Sequence, residues 1–186
     1  MKNIATIAVK LKLDGSVGVI PTDTIYGIVV RAEDHQAVKR LYELKHRESK
    51  PGTLIAANIE QLESLGIKRR YLTAVAQYWP GPVSVIIPCA DPNLAYLHQG
   101  QMSLAVRLPK DQSLQDLLIK TGPLLTSSAN LPDQQPANTM AEAKNYFGSK
   151  IDFYIEGGDL SDHKPSTIIR IIDDAVEVVR QGAVII

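Results

Sequence analysis

The sequence predicts an α/β domain, a mixed sheet with helices packed on it. Three observations carry this. Apolar runs of strand length at 17–20, 25–30 and 83–87 alternate with stretches whose apolar residues recur at helical spacing. Late in the chain, 167–172 and 176–180 flank an Asp173-Asp174 turn, the pattern of an antiparallel hairpin. The chain has 186 residues, 45% of them hydrophobic, and no internal repeat, low-complexity tract or linker, so one domain over 1–186 is expected.

Taken in order, Ile4, Ile7, Ala8 and Leu11 share one face of a helix over 3–13, which Asp14-Gly15 ends. The apolar run 17–20 stops at Pro21, which has no amide hydrogen for a ladder and belongs at a strand end. Thr22, Asp23 and Thr24 then stand between two buried strands, where they either satisfy each other in a tight corner or meet a ligand. Asp34 can cap a helix with Ala37, Val38, Leu41 and Leu44 on one face, terminated by Pro51-Gly52. A strand at 53–57 leads to a helix capped by Asn58 and a further helix over 69–78. Trp79-Pro80-Gly81-Pro82 is a rigid turn. After the strand at 83–87, residues 91–101 read as a surface loop. The strand at 103–108 puts Leu104, Val106 and Leu108 on one face and Arg107 on the other. A helix over 112–120, a strand at 123–126 and a polar loop at 131–138 follow. Thr139 and Glu142 form a capping-box pattern for a helix reaching Phe147, and a short strand at 153–155 precedes a glycine-containing loop.

Lysine plus arginine equals aspartate plus glutamate, 20 each, so overall charge gives no pull toward nucleic acid. One cysteine excludes an internal disulfide and a multi-cysteine metal site, and four scattered histidines give no ligand spacing. No apolar run approaches the ~20 residues of a membrane span. Lysines are spread through 1–14 without a cleavage signature, so a cytoplasmic location with no membrane association is expected. Phosphate-loop, dinucleotide, zinc-protease and nucleophile-elbow motifs are absent from the sequence.

What remains is polar groups at strand ends. Lys45, Arg47 and Lys50 form a cation cluster where a helix becomes a loop, either a seat for a triphosphate or carboxylate or a solvated helix end. Arg107 lies within an apolar strand, where an unpaired charge is costly. Ser127-Ser128-Ala129-Asn130 follows a buried strand directly, and Ser166-Thr167 opens another. In open α/β sheets, ligands sit at strand termini.

Pro21-Thr22-Asp23-Thr24-Ile25-Tyr26-Gly27, Lys45-x-Arg47-x-x-Lys50, Trp79-Pro80-Gly81-Pro82, Ala105-Val106-Arg107, Thr126 to Asn130, Ser166-Thr167-Ile168 and Arg180-Gln181-Gly182 occur in the order seen in YrdC-like proteins. The chain resembles the bacterial short form of these L-threonylcarbamoyladenylate synthases. The resemblance implies a twisted sheet of parallel and antiparallel strands enclosing a positively lined cavity. It implies nucleotidyl transfer: L-threonine, bicarbonate or carbon dioxide, and ATP give L-threonylcarbamoyladenylate and pyrophosphate, with Mg2+ carried by ATP and no structural metal. Partner proteins would then transfer the threonylcarbamoyl group to adenosine 37 of tRNA. On this resemblance Lys45, Arg47 and Arg107 serve catalysis. Lys45, Arg47, Lys50, Ser128, Asn130 and Arg180 hold ATP, and Thr22, Arg107, Thr126 and Ser166 hold threonine. Leu131-Pro132-Asp133 departs from the family's x-Ser-Gly, so those nucleotide contacts are missing or remade by backbone. The alternative is a YrdC-like paralogue that binds nucleotide, or double-stranded RNA or tRNA weakly, without making this product.

Overall fold

Among the described residues, nine strands join edge to edge in one sheet, in the order β7-β1-β2-β6-β3-β5-β4-β8-β9. They are β1 (Gly18–Pro21), β2 (Tyr26–Arg31), β3 (Thr53–Ile55), β4 (Val83–Pro88), β5 (Ser103–Arg107), β6 (Leu124–Ser128), β7 (Phe153–Tyr154), β8 (Thr167–Ile172) and β9 (Ala175–Arg180). The structure is a computed structural model that describes residues 3–46, 50–173 and 175–186. The sheet is mixed, as expected: β1–β7, β3–β5 and β4–β8 pair parallel, and the other neighbours pair antiparallel. Pro21 ends β1 as its missing amide hydrogen requires. Asp173 stands in the β8–β9 turn in the left-handed region, at φ 49°; Asp174 lies outside the described residues.

Both faces of the central strands are covered, which is why they read as continuous apolar runs rather than alternating ones. On one face, Ile28, Val30, Leu54, Leu125, Val85 and Val106 pack under α2 (His35–Leu44), α3 (Ile59–Ser64), α4 (Arg69–Ala74), α5 (Ala95–His98) and α7 (Met140–Phe147). On the other, Val29, Ile55 and Leu124 pack against Ile7, Ala8 and Leu11 of α1 (Ile4–Leu11) and Leu114, Leu117 and Leu118 of α6 (Gln112–Thr121). The caps read from the sequence form: Asp34 accepts from the Ala37 amide, Asn58 from Gln61 and Thr139 from Glu142.

Two expectations are corrected. Residues 91–101 are not a plain surface loop. A 3-10 turn (Pro92–Leu94) and α5 bury Leu94, Leu97 and His98, a pattern one turn long and too short to show as periodicity. The helix expected over 69–78 breaks at Val75, whose φ of −114° leaves the helical region, into α4 and a 3-10 turn (Ala76–Tyr78).

The α1–α6 layer stops short, and this creates the site. Two residues further along the same strands on the same face, Val29 gives way to Gly27, Ile55 to Thr53 and Leu124 to Thr126. Small and polar side chains replace the apolar ones where the helices end, leaving a cavity over that end of the sheet.

Candidate active site

The cavity has a volume of about 570 Å³. Its floor is the uncovered sheet face, with Gly27, Thr53, Ser103, Ala105 and Thr126, and its walls carry Lys50, Arg107, Arg170 and Arg180. Among its described lining residues there is no Asp or Glu. Four cations line the cavity, two of them (Arg107 and Arg170) paired with carboxylates outside its lining, and such a cluster suits an anionic ligand.

The β1–β2 corner makes one wall. Thr22 satisfies the corner itself: its hydroxyl donates to Ile25 O at 2.6 Å, accepts from the Thr24 amide at 3.2 Å and lies 3.0 Å from Thr24 Oγ1. Asp23 is therefore released from turn-making and reaches across the sheet. Arg107, the last residue of β5, donates from Nη1 to both its oxygens, at 2.6 and 2.7 Å. The side chains are 4% and 10% exposed, so this is a buried pair, and Arg107 Nε has no partner among the described residues. The sequence marked Arg107 as a costly charge; its partner is 84 positions away and carried no signal.

The opposite wall is the turn after β6. Ser128 Oγ donates to Asn130 Oδ1 at 2.6 Å, and Asn130 Nδ2 donates to Leu131 O and Gln134 O. Beneath it lies Lys45, at the C-terminus of α2 and 2% exposed. Its ammonium donates to Ser128 O and Asn130 Oδ1, each at 2.8 Å, and to Asn130 O. Lys45 was expected to hold the triphosphate and Asn130 to contact the nucleotide. The structure instead places both behind the wall, each engaged in fixing the turn, and neither lines the cavity. Arg47 lies outside the described residues. The loop at 131–138 is tied down by Ala137 N to Ala129 O and by Leu160 N to Asn138 O, both 2.9 Å.

The third wall comes from β8 and β9. Ser166 Oγ lies 2.9 Å from Ser84 Oγ, and Arg180 Nη2 donates to Ser166 O at 2.7 Å. Between Ile168 and Ile169 the ladder advances one residue on β8 and two on β9, so Val179 is an extra, bulged residue. Such a bulge re-aims side chains. Here consecutive residues Val179 and Arg180 both reach the cavity. Close approach also shapes the rim: a Cβ on Gly157 would sit 2.3 Å from Pro21 Cβ, so only glycine lets that loop lie on the corner. There the Gly157 amide donates to Tyr26 Oη, which donates to Gly158 O; burial pushes the Tyr26 phenol up.

Of the residues singled out from sequence, Thr22, Lys50, Arg107, Thr126, Ser128, Ser166 and Arg180 meet at this one cavity. Sequence reasoning missed Asp23 as a partner, Arg170, and the floor residues Thr53 and Ser103. Ser103 and Ala105 had a readable signal, since they alternate with Leu104 and Val106 on the Arg107 face.

A family model named for Sua5, YciO and YrdC, and described as telomere recombination, matches residues 10–182. The chain belongs to the Sua5/YciO/YrdC family. Within it, a threonylcarbamoyl-AMP synthase of Marinobacter nauticus is 32% identical over 165 residues, 86% of this chain and 87% of that one. The corresponding protein of Vibrio campbellii is 32% identical over 175 residues, 90% of this chain and 94% of that one. Among solved structures, Pyrococcus abyssi Sua5 complexed with L-threonine superposes with a TM-score of 0.82 at 28% identity over 96% of this chain. This chain spans 54% of that longer family member. The α/β mixed-sheet fold is thus the Sua5/YrdC fold. Among the described residues no helix is long and apolar enough to cross a membrane, and no group of three or more His, Cys, Asp or Glu residues is placed to hold a metal ion.

Proposed function

We propose that this chain is a threonylcarbamoyl-AMP synthase: it joins L-threonine, bicarbonate-derived carbon dioxide and ATP into L-threonylcarbamoyladenylate and pyrophosphate for tRNA modification. The observation that carries this reading is the cavity, where cations stand at two depths over a floor of small side chains. Supporting it are the synthase relatives and the threonine complex of the Sua5 neighbour.

The chemistry explains why such a wall is needed. The threonine amine attacks carbon dioxide and loses a proton, forming a carbamate. A carbamate oxygen then attacks the α-phosphorus, and the bond to the pyrophosphate oxygen breaks. Both partners of the second step, the carbamate and ATP, carry negative charge, so its barrier is one of holding anions together and in line. Arg107, fixed from behind by Asp23, pairs with the threonine carboxylate or the carbamate at the inner end. Thr22, Thr126 and Ser166 orient threonine, Ser128 contacts the nucleotide, and Lys50 and Arg180 hold phosphates. Lys45 and Asn130 act by holding the wall in shape. Because no described lining residue is a carboxylate, Mg2+ would ride on the phosphate oxygens, where it offsets their charge.

The test is incubation with ATP, magnesium, bicarbonate and labelled L-threonine, followed by chromatography. Labelled threonylcarbamoyladenylate formed with pyrophosphate, and only with both threonine and bicarbonate, is expected. ATP binding without product would overturn the reading in favour of a nucleotide-binding paralogue.

A further inference from the structure

Arg170 lines the cavity but belongs to none of the motifs read from the sequence. On β8 it stands opposite Ile86 of β4 and opposite Glu177 of β9. Glu177 grips it at two points: Nε donates to Oε2 at 2.6 Å and Nη2 to Oε1 at 3.1 Å. That is the fork by which arginine takes a phosphate, so the carboxylate occupies a phosphate-shaped seat.

Two of the arginines that line the cavity are thus each paired with a carboxylate outside its lining, and burial separates the fates of the two pairs. Arg107 and Asp23 are shielded from water, and parting them would strand a buried charge. Arg170 and Glu177 are each 47% exposed, and an exposed pair gains little over hydration. Glu177 can therefore swing back into water when a more highly charged anion arrives.

We propose that Arg170 is a further polyphosphate-binding residue, and that Glu177 is a placeholder that fills its fork until the outer phosphates of the nucleotide displace it. This rests on the synthase reading above. Position selects the outer phosphates: Arg107 is buried at the inner end, and Arg170 is half-exposed at the rim. Glu177 left unpaired at that rim would repel the same phosphates, so the two residues act as a unit.

Calorimetric titration of ATP, pyrophosphate and AMP into wild type, Arg170→Ala, Arg170→Lys, Glu177→Gln and the Arg170→Ala/Glu177→Gln double variant tests this, with thermal melts confirming the fold. Arg170→Ala should weaken ATP and pyrophosphate about tenfold, the equivalent of one charge-assisted contact, and barely change AMP. Arg170→Lys should fall between, keeping the charge and losing the fork. Glu177→Gln should tighten pyrophosphate, and the double variant should bind it better than Arg170→Ala alone. Unchanged pyrophosphate affinity in Arg170→Ala, or an equal loss for AMP, overturns the assignment of Arg170. Unchanged or weaker pyrophosphate binding in Glu177→Gln overturns the placeholder role. Wild type that binds none of the three overturns the nucleotide reading, and this proposal with it.

Discussion

Arg107 uses a single nitrogen, Nη1, to hold both oxygens of Asp23, and leaves its Nε without a partner among the described residues although the side chain is almost wholly buried. The pair ties the β1–β2 corner to the end of β5, across two intervening strands, β6 and β3. Removing one partner strands the other, so Asp23→Ala should cost about 3 kcal/mol of stability. Asp23→Ala combined with Arg107→Met should recover most of that loss without recovering threonine binding. Urea unfolding and threonine titration of the three proteins check this. A single Asp23→Ala variant as stable as wild type would show that the pair does not hold the corner.

Lys45 and Lys50 were read together as one cluster, and the structure separates them. Lys45→Met removes the ammonium that holds Ser128 O, Asn130 O and Asn130 Oδ1 together, so a loss of about 2 kcal/mol is expected together with weaker ATP binding. Lys50 is exposed at the cavity edge, and Lys50→Ala should change stability by less than about 0.5 kcal/mol while raising the KM for ATP. Thermal melts alongside initial rates distinguish wall from contact. Loss of activity in Lys45→Met at unchanged stability would count against the structural role given to Lys45.

Asp152 supplies a pH handle away from the cavity. Burial raises its pKa, but the Arg40 guanidinium and the Val17 amide, both bonded to Oδ2, together outweigh that and hold it below 3.8. A depressed carboxylate pKa gives stability that is present above the unfolded value and lost as pH falls through the folded one. Asp152→Asn should therefore be less stable than wild type near neutral pH, and the two unfolding curves should converge in acid. A difference that persists undiminished in acid would place the effect in packing rather than charge.

These contacts also mark what a sequence can and cannot disclose. Helix caps at Asp34, Asn58 and Thr139 were legible because cap and recipient lie three residues apart. So was the orientation of β5, because alternation is local. The choice of α/β class followed from the same short-range periodicities. The order of strands was not legible, and the missed long-range pairings descend from it. Arg170 reaches the cavity only because β8 pairs parallel with β4, and Arg107 finds Asp23 only because the sheet sets β5 opposite the first corner. Lys45 was visible as a cation, but nothing near it showed that the turn after β6 would supply its acceptors.

Core and site share strands rather than dividing them. Val29, Ile55 and Leu124 lie under α1 and α6, while Gly27, Thr53 and Thr126, two steps along the same strands, face the ligand space. For directed evolution this sets a simple geography. Randomising 53 and 126 resculpts substrate range on an unchanged scaffold, whereas volume changes at 29, 55 or 124 tilt the same strands from beneath and alter selectivity without touching the substrate. The end of the helical layer is the lever: a bulkier residue at the last covered position would make the pocket shallower, and a smaller one would deepen it.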